Sequence, residues 1–189
     1  TKRYLENRIK RNCKIKFINS KKGWINDSKI LIEKVYTPYI FLWTEDHINL
    51  NEKKNLNNII KMMDENSIDY FGYSWFRLGK HLDFYSRNSK EFKNFYIINY
   101  NLVTHLKKIL YSFVNKKNLS LYILPHQGIF TKKLFLKMLS SKKLLFQRWP
   151  KDTPFNFEKS EYDIDYLPFK KLISKNQFFI PFDDFKDEK

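Results

Sequence analysis

Glu45 and Asp46 follow directly on the apolar run Tyr39-Ile40-Phe41-Leu42-Trp43. Two adjacent carboxylates at the end of such a run can hold a divalent metal against a phosphorylated substrate. The same pair can equally form a solvated acidic turn, or cap the helical stretch that starts at Glu52. A third carboxylate, Glu158, lies among aromatics in Pro154-Phe155-Asn156-Phe157-Glu158. Burial there would raise its pKa and suit it to accept a proton, whereas at a helix start it would only stabilise an N-terminus. His126 and Gln127, in Pro125-His126-Gln127-Gly128, can both hydrogen-bond a sugar hydroxyl, or can belong to an ordinary strand-to-helix turn. Trp24, just after Gly23, could stack on a base or a sugar face, or cap the core.

Other chemistries find less support. The histidines at 47, 81, 105 and 126 show no HxxxH or HExxH spacing, which speaks against zinc. No GxSxG, GxGxxG or GxxxxGK[ST] is present, and four glycines are few for loops that cradle phosphates. Cys13 is the only cysteine, so no disulfide and no thiolate metal site can form within the chain.

The chain of 189 residues is long enough for one full domain, and a 42% hydrophobic content rules against disorder. No apolar run reaches the roughly 18 residues of a membrane span. The first residue is Thr and no signal peptide follows, so a processed chain or an excised fragment is expected, while the lone cysteine fits a cytoplasmic compartment. The net charge of +16 invites a nucleic-acid reading, but thirty lysines against six arginines, in no block longer than two, favour a solvated surface. Such a surface still attracts anions, including nucleotide-sugar phosphates and an acidic membrane face, so peripheral contact with an anionic membrane is compatible with it.

The elements that must position these residues follow from periodicity. Tyr4, Leu5 and Ile9 mark a short amphipathic helix over 2–11, and Cys13 to Ile18 alternates as a half-exposed strand. Asn26 or Asp27 can cap a helix with the stripe Ile30, Leu31, Val35, which Pro38 ends. The run from Tyr39 then reads as a strand buried on both faces, giving β-α-β spacing and a parallel pair. Further along, 52–66 reads as a helix and 69–76 as a strand. One or two strands are expected in 84–101, a helix over 103–114, a strand over 119–124, a helix over 131–139 and a loop over 146–157. One domain over 1–182 and an acidic tail at 183–189 are expected.

Taken in order, Gly23-Trp24-Ile25-Asn26-Asp27-Ser28, Thr37 to Leu42, Glu45-Asp46, Gln127-Gly128-Ile129-Phe130 and Pro154 to Glu158 resemble family-2-type glycosyltransferases of the GT-A fold, in particular those of bacterial and viral surface-polysaccharide synthesis. The resemblance spans roughly residues 1–160. It implies an α/β, three-layer αβα, Rossmann-like domain with a mixed, mainly parallel sheet. It implies a nucleotide-sugar donor, a carbohydrate acceptor and no specific nucleic acid. Asp46 would hold Mg²⁺ or Mn²⁺ on the nucleotide diphosphate, with Glu45 touching metal or ribose. Trp24 and Asp27 would line the nucleotide, and Glu158 would deprotonate the acceptor hydroxyl. Thr44-Glu45-Asp46-His47 departs from a strict DxD. The family's first β-α-β unit, which binds the base, is expected to be missing from this chain. Rival readings are a basic polyanion-binding protein, a metal-dependent phosphotransferase or nuclease, and a non-catalytic transferase fragment.

Overall fold

The computed structural model describes residues 23–43, 47–49, 53–72, 78–116, 122–141, 157, 160–175 and 179–181. The expected helix at 2–11, the strand Cys13–Ile18, most of the 146–157 loop and the acidic tail lie outside them, as do Glu45, Asp46 and Glu158. Gly23 opens the described chain with φ 99°, a conformation that favours glycine, and hands over to α1 (Trp24–Glu33). Neither Asn26 nor Asp27 caps this helix; Asp27 sits inside its first turn, where a carboxylate complements the helix dipole. The helix turns Trp24, Ile25 and Ile32 toward the core and leaves Ile30 exposed, so the expected stripe is rotated by about one position.

Six strands form one sheet in the order β1-β6-β3-β7-β5-β4: β1 (Tyr39–Leu42), β6 (Gly128–Thr131), β3 (Tyr70–Gly72), β7 (Phe169–Ser174), β5 (Phe95–Tyr100) and β4 (Lys90–Glu91). Only β3 and β7 run parallel; the other pairings are antiparallel. The sheet is therefore mixed but not mainly parallel among the described residues. A separate antiparallel pair joins β2 (His47–Asn49) to β8 (Phe179–Pro181). β1 is a terminal strand of the described sheet rather than a strand buried on both faces. Phe41 and Trp43 are each a little over two-fifths exposed and their rings lie 5.7 Å apart. A short apolar run is thus explained here by mutual ring contact at an edge as well as by core packing.

Period-2 alternation along the strands divides the apolar side chains between two faces. On one face Phe71, Ile97, Ile129 and Leu172 meet Ile59 and Met63 of α2 (Lys53–Glu65). On the other, Tyr70, Phe130, Phe169, Ile173, Ile98 and Tyr100 meet the remaining helices. These are α1, α3 (Leu78–Asn88), α4 (Leu102–Val114) and α5 (Lys132–Leu139). Helices cover both faces, as a three-layer α/β arrangement requires.

Two expectations of element type fail. Residues 84–88 belong to α3, because Phe84 and Tyr85 are buried against the sheet from a helix rather than within a strand. Residues 122–124 form no strand; the amides of Ile123 and Leu124 both donate to the carbonyl of Glu161. The 131–139 helix is present as α5, and Thr131 accepts from the Leu134 amide as its cap. α4 is present as expected, with Asn101 accepting from the Thr104 amide at 2.9 Å.

Lysines do structural work that composition alone conceals. Lys132 Nζ donates to the carbonyls of Glu33 and Val35 at 2.9 and 2.7 Å, satisfying the last carbonyls around the end of α1. Lys170 Nζ donates to the carbonyl of Asn66 at 2.6 Å just past α2. Lys137 Nζ donates to the carbonyls of Tyr166 and Leu167. These lysines are half-buried or exposed, so they belong to the solvated surface read from the sequence while also bonding backbone carbonyls.

Candidate functional site

Leu42, the last residue of β1, pairs across the sheet with Gly128, and so does Gly72, the last residue of β3. Gly128 is the first residue of β6, so one end of the sheet collects three chain segments: that leaving β1 toward Glu45 and Asp46, that leaving β3, and the turn Pro125-His126-Gln127 entering β6. Only glycine fits at 128. A Cβ there would stand 2.3 Å from the carbonyl oxygen of Phe71 and 2.7 Å from the Tyr70 ring. At Gly72 a Cβ would meet the Tyr70 ring at 3.0 Å and Lys171 Cε at 3.2 Å, so Gly72 is packed against side chains where Gly128 is packed against backbone.

The turn before Gly128 is held from several directions. Tyr70 Oη donates to the carbonyl of Pro125 at 2.7 Å and to that of Gln127 at 3.2 Å. The His126 amide donates to Glu161 Oε1 at 2.6 Å, and Glu161 itself is buried in η1 (Ser160–Tyr162). The His126 ring is 1% exposed and stacks on Phe157, with centroids 4.1 Å apart and planes at 22°. Its Nε2 lies 3.3 Å from Ser160 Oγ, which donates to the Phe157 carbonyl at 2.6 Å. With the hydroxyl proton so used, Ser160 Oγ is left to accept from Nε2–H, and Nδ1 is the bare acceptor nitrogen. Nδ1 has no hydrogen-bond partner among the described residues. Burial pushes the imidazole pKa down to about 3, so the ring is neutral.

Phe157 joins the other singled-out segments to this turn. The Trp24 ring lies 5.3 Å from it, and Phe135 of α5 lies 5.8 Å from it. The Gly23-Trp24 corner, the His126-Gln127 turn and the residue directly before Glu158 therefore meet around one aromatic side chain. Trp24 is half-buried and packs on the core, and Asp27 follows one turn later, also half-buried. Gln127 is half-buried beside the fully enclosed His126. His126 is thus placed to hold the turn and is closed off from a sugar hydroxyl. Asp46, Glu45 and Glu158 lie outside the described residues.

Among the described residues no three of His, Cys, Asp and Glu lie together in a way that could hold a metal ion. Several residues that shape the site gave no sequence signal. Glu161 and Ser160 stand in the polar run Glu158-Lys159-Ser160-Glu161, which carries no periodicity to betray burial. Tyr70 looked like one core aromatic among many until its hydroxyl was placed on the turn.

No protein-family model, no curated protein and no solved structure matches the chain. No helix among the described residues is long and apolar enough to cross a membrane.

Proposed function

We propose that this chain is a glycosyltransferase domain of GT-A type, acting in the cytoplasm, that moves a sugar from a nucleotide-sugar donor to a carbohydrate acceptor with inversion. One observation carries the reading: Leu42 pairs with Gly128 while His126 stacks on Phe157. The segments bearing Glu45 and Asp46, Gln127, and Glu158 consequently set out from one end of the sheet, where ligands of α/β sheets bind. Sequence spacing alone left 45, 127 and 158 as separate candidates; the shared origin supports treating them as one site.

In this reading Asp46 and Glu45 are the ligands of Mg²⁺ or Mn²⁺, whose chemistry there is to neutralise the departing diphosphate. Glu158 accepts the proton of the acceptor hydroxyl as that oxygen attacks the anomeric carbon. Gln127, held through its own carbonyl by Tyr70, hydrogen-bonds the sugar, and Trp24 and Asp27 line the nucleotide. His126 is a positioning residue that fixes Gln127 and Phe157.

Thermal denaturation of the chain with UDP-, GDP-, CMP- and dTDP-sugars, with and without Mn²⁺, tests the proposal. Stabilisation by one donor, enhanced by Mn²⁺ and lost in Asp46→Asn, is the expected outcome. No stabilisation by any donor counts against it, and cleavage of phosphodiesters would replace it with the nuclease reading. Glu158→Gln should leave donor binding intact while abolishing transfer.

A further inference from the structure

Helix α4 presents an apolar face outward while Tyr111 packs inward on Phe84. Leu102, Val103, Leu106, Leu110, Phe113 and Val114 are each 50–75% exposed, although every one is apolar. At 100° per residue these six fall on a single arc of about 120°, the outer face of the helix. The inner side carries His105 and Lys108, which are buried at 8% and 3% exposure. A solvated helix shows the reverse distribution. Six apolar side chains on one face exceed the scattered exposed hydrophobics of an ordinary surface and mark a docking face.

Charge selects the occupant. From Phe92 to Lys151 the chain holds twelve lysines and arginines and no Asp or Glu. α4 lies within this acid-free stretch, with exposed Lys107 at the edge of its apolar arc and exposed Lys116 just beyond its end. A second copy of the chain is disfavoured, since each carries +16. An apolar strip bordered by cations fits the interface of a bilayer with anionic headgroups: the side chains enter the headgroup–acyl boundary while the lysines stay with the phosphates. We infer that the outer face of α4 docks the protein on an anionic membrane surface, lying in the plane of the interface without spanning it.

The test is flotation of the full chain with vesicles of phosphatidylglycerol and phosphatidylcholine, and with vesicles of phosphatidylcholine alone. Binding to the anionic vesicles, weakened by salt, is expected. The variant Leu106→Ser/Leu110→Ser/Phe113→Ser should bind them at least about tenfold more weakly, since it removes three anchors from the apolar strip. All three positions are exposed, so an unchanged circular dichroism spectrum and melting curve are expected for the variant, and flotation is then read on folded protein. Equal flotation of variant and wild type would overturn the proposal, leaving general lysine attraction as the cause of binding. Absence of binding to anionic vesicles would overturn it too. So would a dimer in sedimentation velocity that the same variant dissolves, which would give the face to a second copy. Lys107→Gln/Lys116→Gln, which leaves the apolar strip whole, should bind more weakly and with a shallower salt dependence; an unchanged affinity and salt dependence would overturn the role given to these two lysines.

Discussion

The imidazole of His126 lies 4.1 Å from the ring of Phe157, nearly parallel to it, and this stack joins the turn before β6 to the residue preceding Glu158. Removing either ring opens a cavity beneath the candidate site. His126→Ala should destabilise the fold by about 2–4 kcal/mol, measured as a shift of the urea midpoint, by analogy with other large-to-small core changes.

The same residue has a pH signature. Its folded pKa is lowered to about 3 by burial, against an ordinary value of 6.5. Between those values the unfolded chain binds the proton and the folded chain does not, so stability rises with pH across that window. It is fully present above pH 6.5 and is lost as the pH falls toward 3. Urea midpoints at pH 7 and pH 5 should differ less in His126→Phe than in the wild type; an equal difference would show that the imidazole is not the group responsible.

Lys108 of α4 and Lys171 of β7 give a second, opposite-end window. Lys171 is buried with its Nζ 5.3, 5.5 and 5.8 Å from the ring centres of Tyr70, Tyr85 and Tyr100. It also lies 3.5 Å from Tyr85 Oη, the limit of a hydrogen bond. Lys108 Nζ donates to the Tyr122 carbonyl at 3.2 Å. Neither amine has a carboxylate within ion-pair distance among the described residues. Burial lowers Lys171 to about 7; burial and then the Lys171 charge lower Lys108 to about 7, both from 10.5. From pH 7 to 10.5 the unfolded chain therefore holds more protons, and stability increases with pH. Above pH 10 the buried hydroxyls of Tyr85 and Tyr100, whose pKa values burial raises, act in the other direction. Melting temperature should climb between pH 7 and 9.5, and Lys171→Met should raise it at pH 7 and flatten the climb. A flat wild-type profile would show that the two amines titrate normally.

Elements with uninterrupted helical spacing were legible in the sequence: α2, α4 and α5 lie where Leu56 to Met63, Val103 to Val114 and Leu134 to Met138 place them. β5 was legible from Phe95 to Ile98. α3 was not, because Phe84 and Tyr85 carry strand propensity that burial against the sheet overrides. β6 was not, because its four residues continue directly into α5, and strand pairing is set by partners far away in the chain. Strand direction was not legible: among the described residues the sheet is mixed with mostly antiparallel neighbours, and a run such as Tyr39 to Trp43 records hydrophobicity and not the orientation of a neighbour. At the candidate site the segments were identified one by one. Their meeting at Phe157 depends on contacts between residues 24, 126 and 157, which no local spacing encodes.

Lys132 reaches from α5 to two carbonyls at the end of α1, and through them fixes how α1 lies on α5. Lys132→Met keeps the unbranched apolar stem of the side chain and removes the donor. A loss of about 0.5–1.5 kcal/mol is expected, the net range for a hydrogen bond whose acceptors regain water. Amide exchange should quicken in α1 before it quickens in α2. Uniform acceleration across both helices would mean that the lysine supports the fold generally and not the α1 terminus.

Gly128 is the position at which the site and the fold are hardest to separate. The Phe71 carbonyl would lie 2.3 Å from a new Cβ, and that atom is backbone in the middle of the sheet, unable to swing aside. Gly128→Ala must therefore push β6 away from β3, where Gly72 and Gly128 face each other. A destabilisation of about 3 kcal/mol or more is expected, in the class of overpacked core changes. The displacement should also loosen the turn that Tyr70 Oη anchors, since the hydroxyl reaches the carbonyls of Pro125 and Gln127 from the neighbouring strand. Donor-induced stabilisation should consequently fall in Gly128→Ala by more than in Tyr70→Phe, which removes the hydroxyl and leaves the strands in register. The reverse order would assign the positioning of the turn to the Tyr70 hydrogen bonds, and the close approach at Gly128 to folding alone.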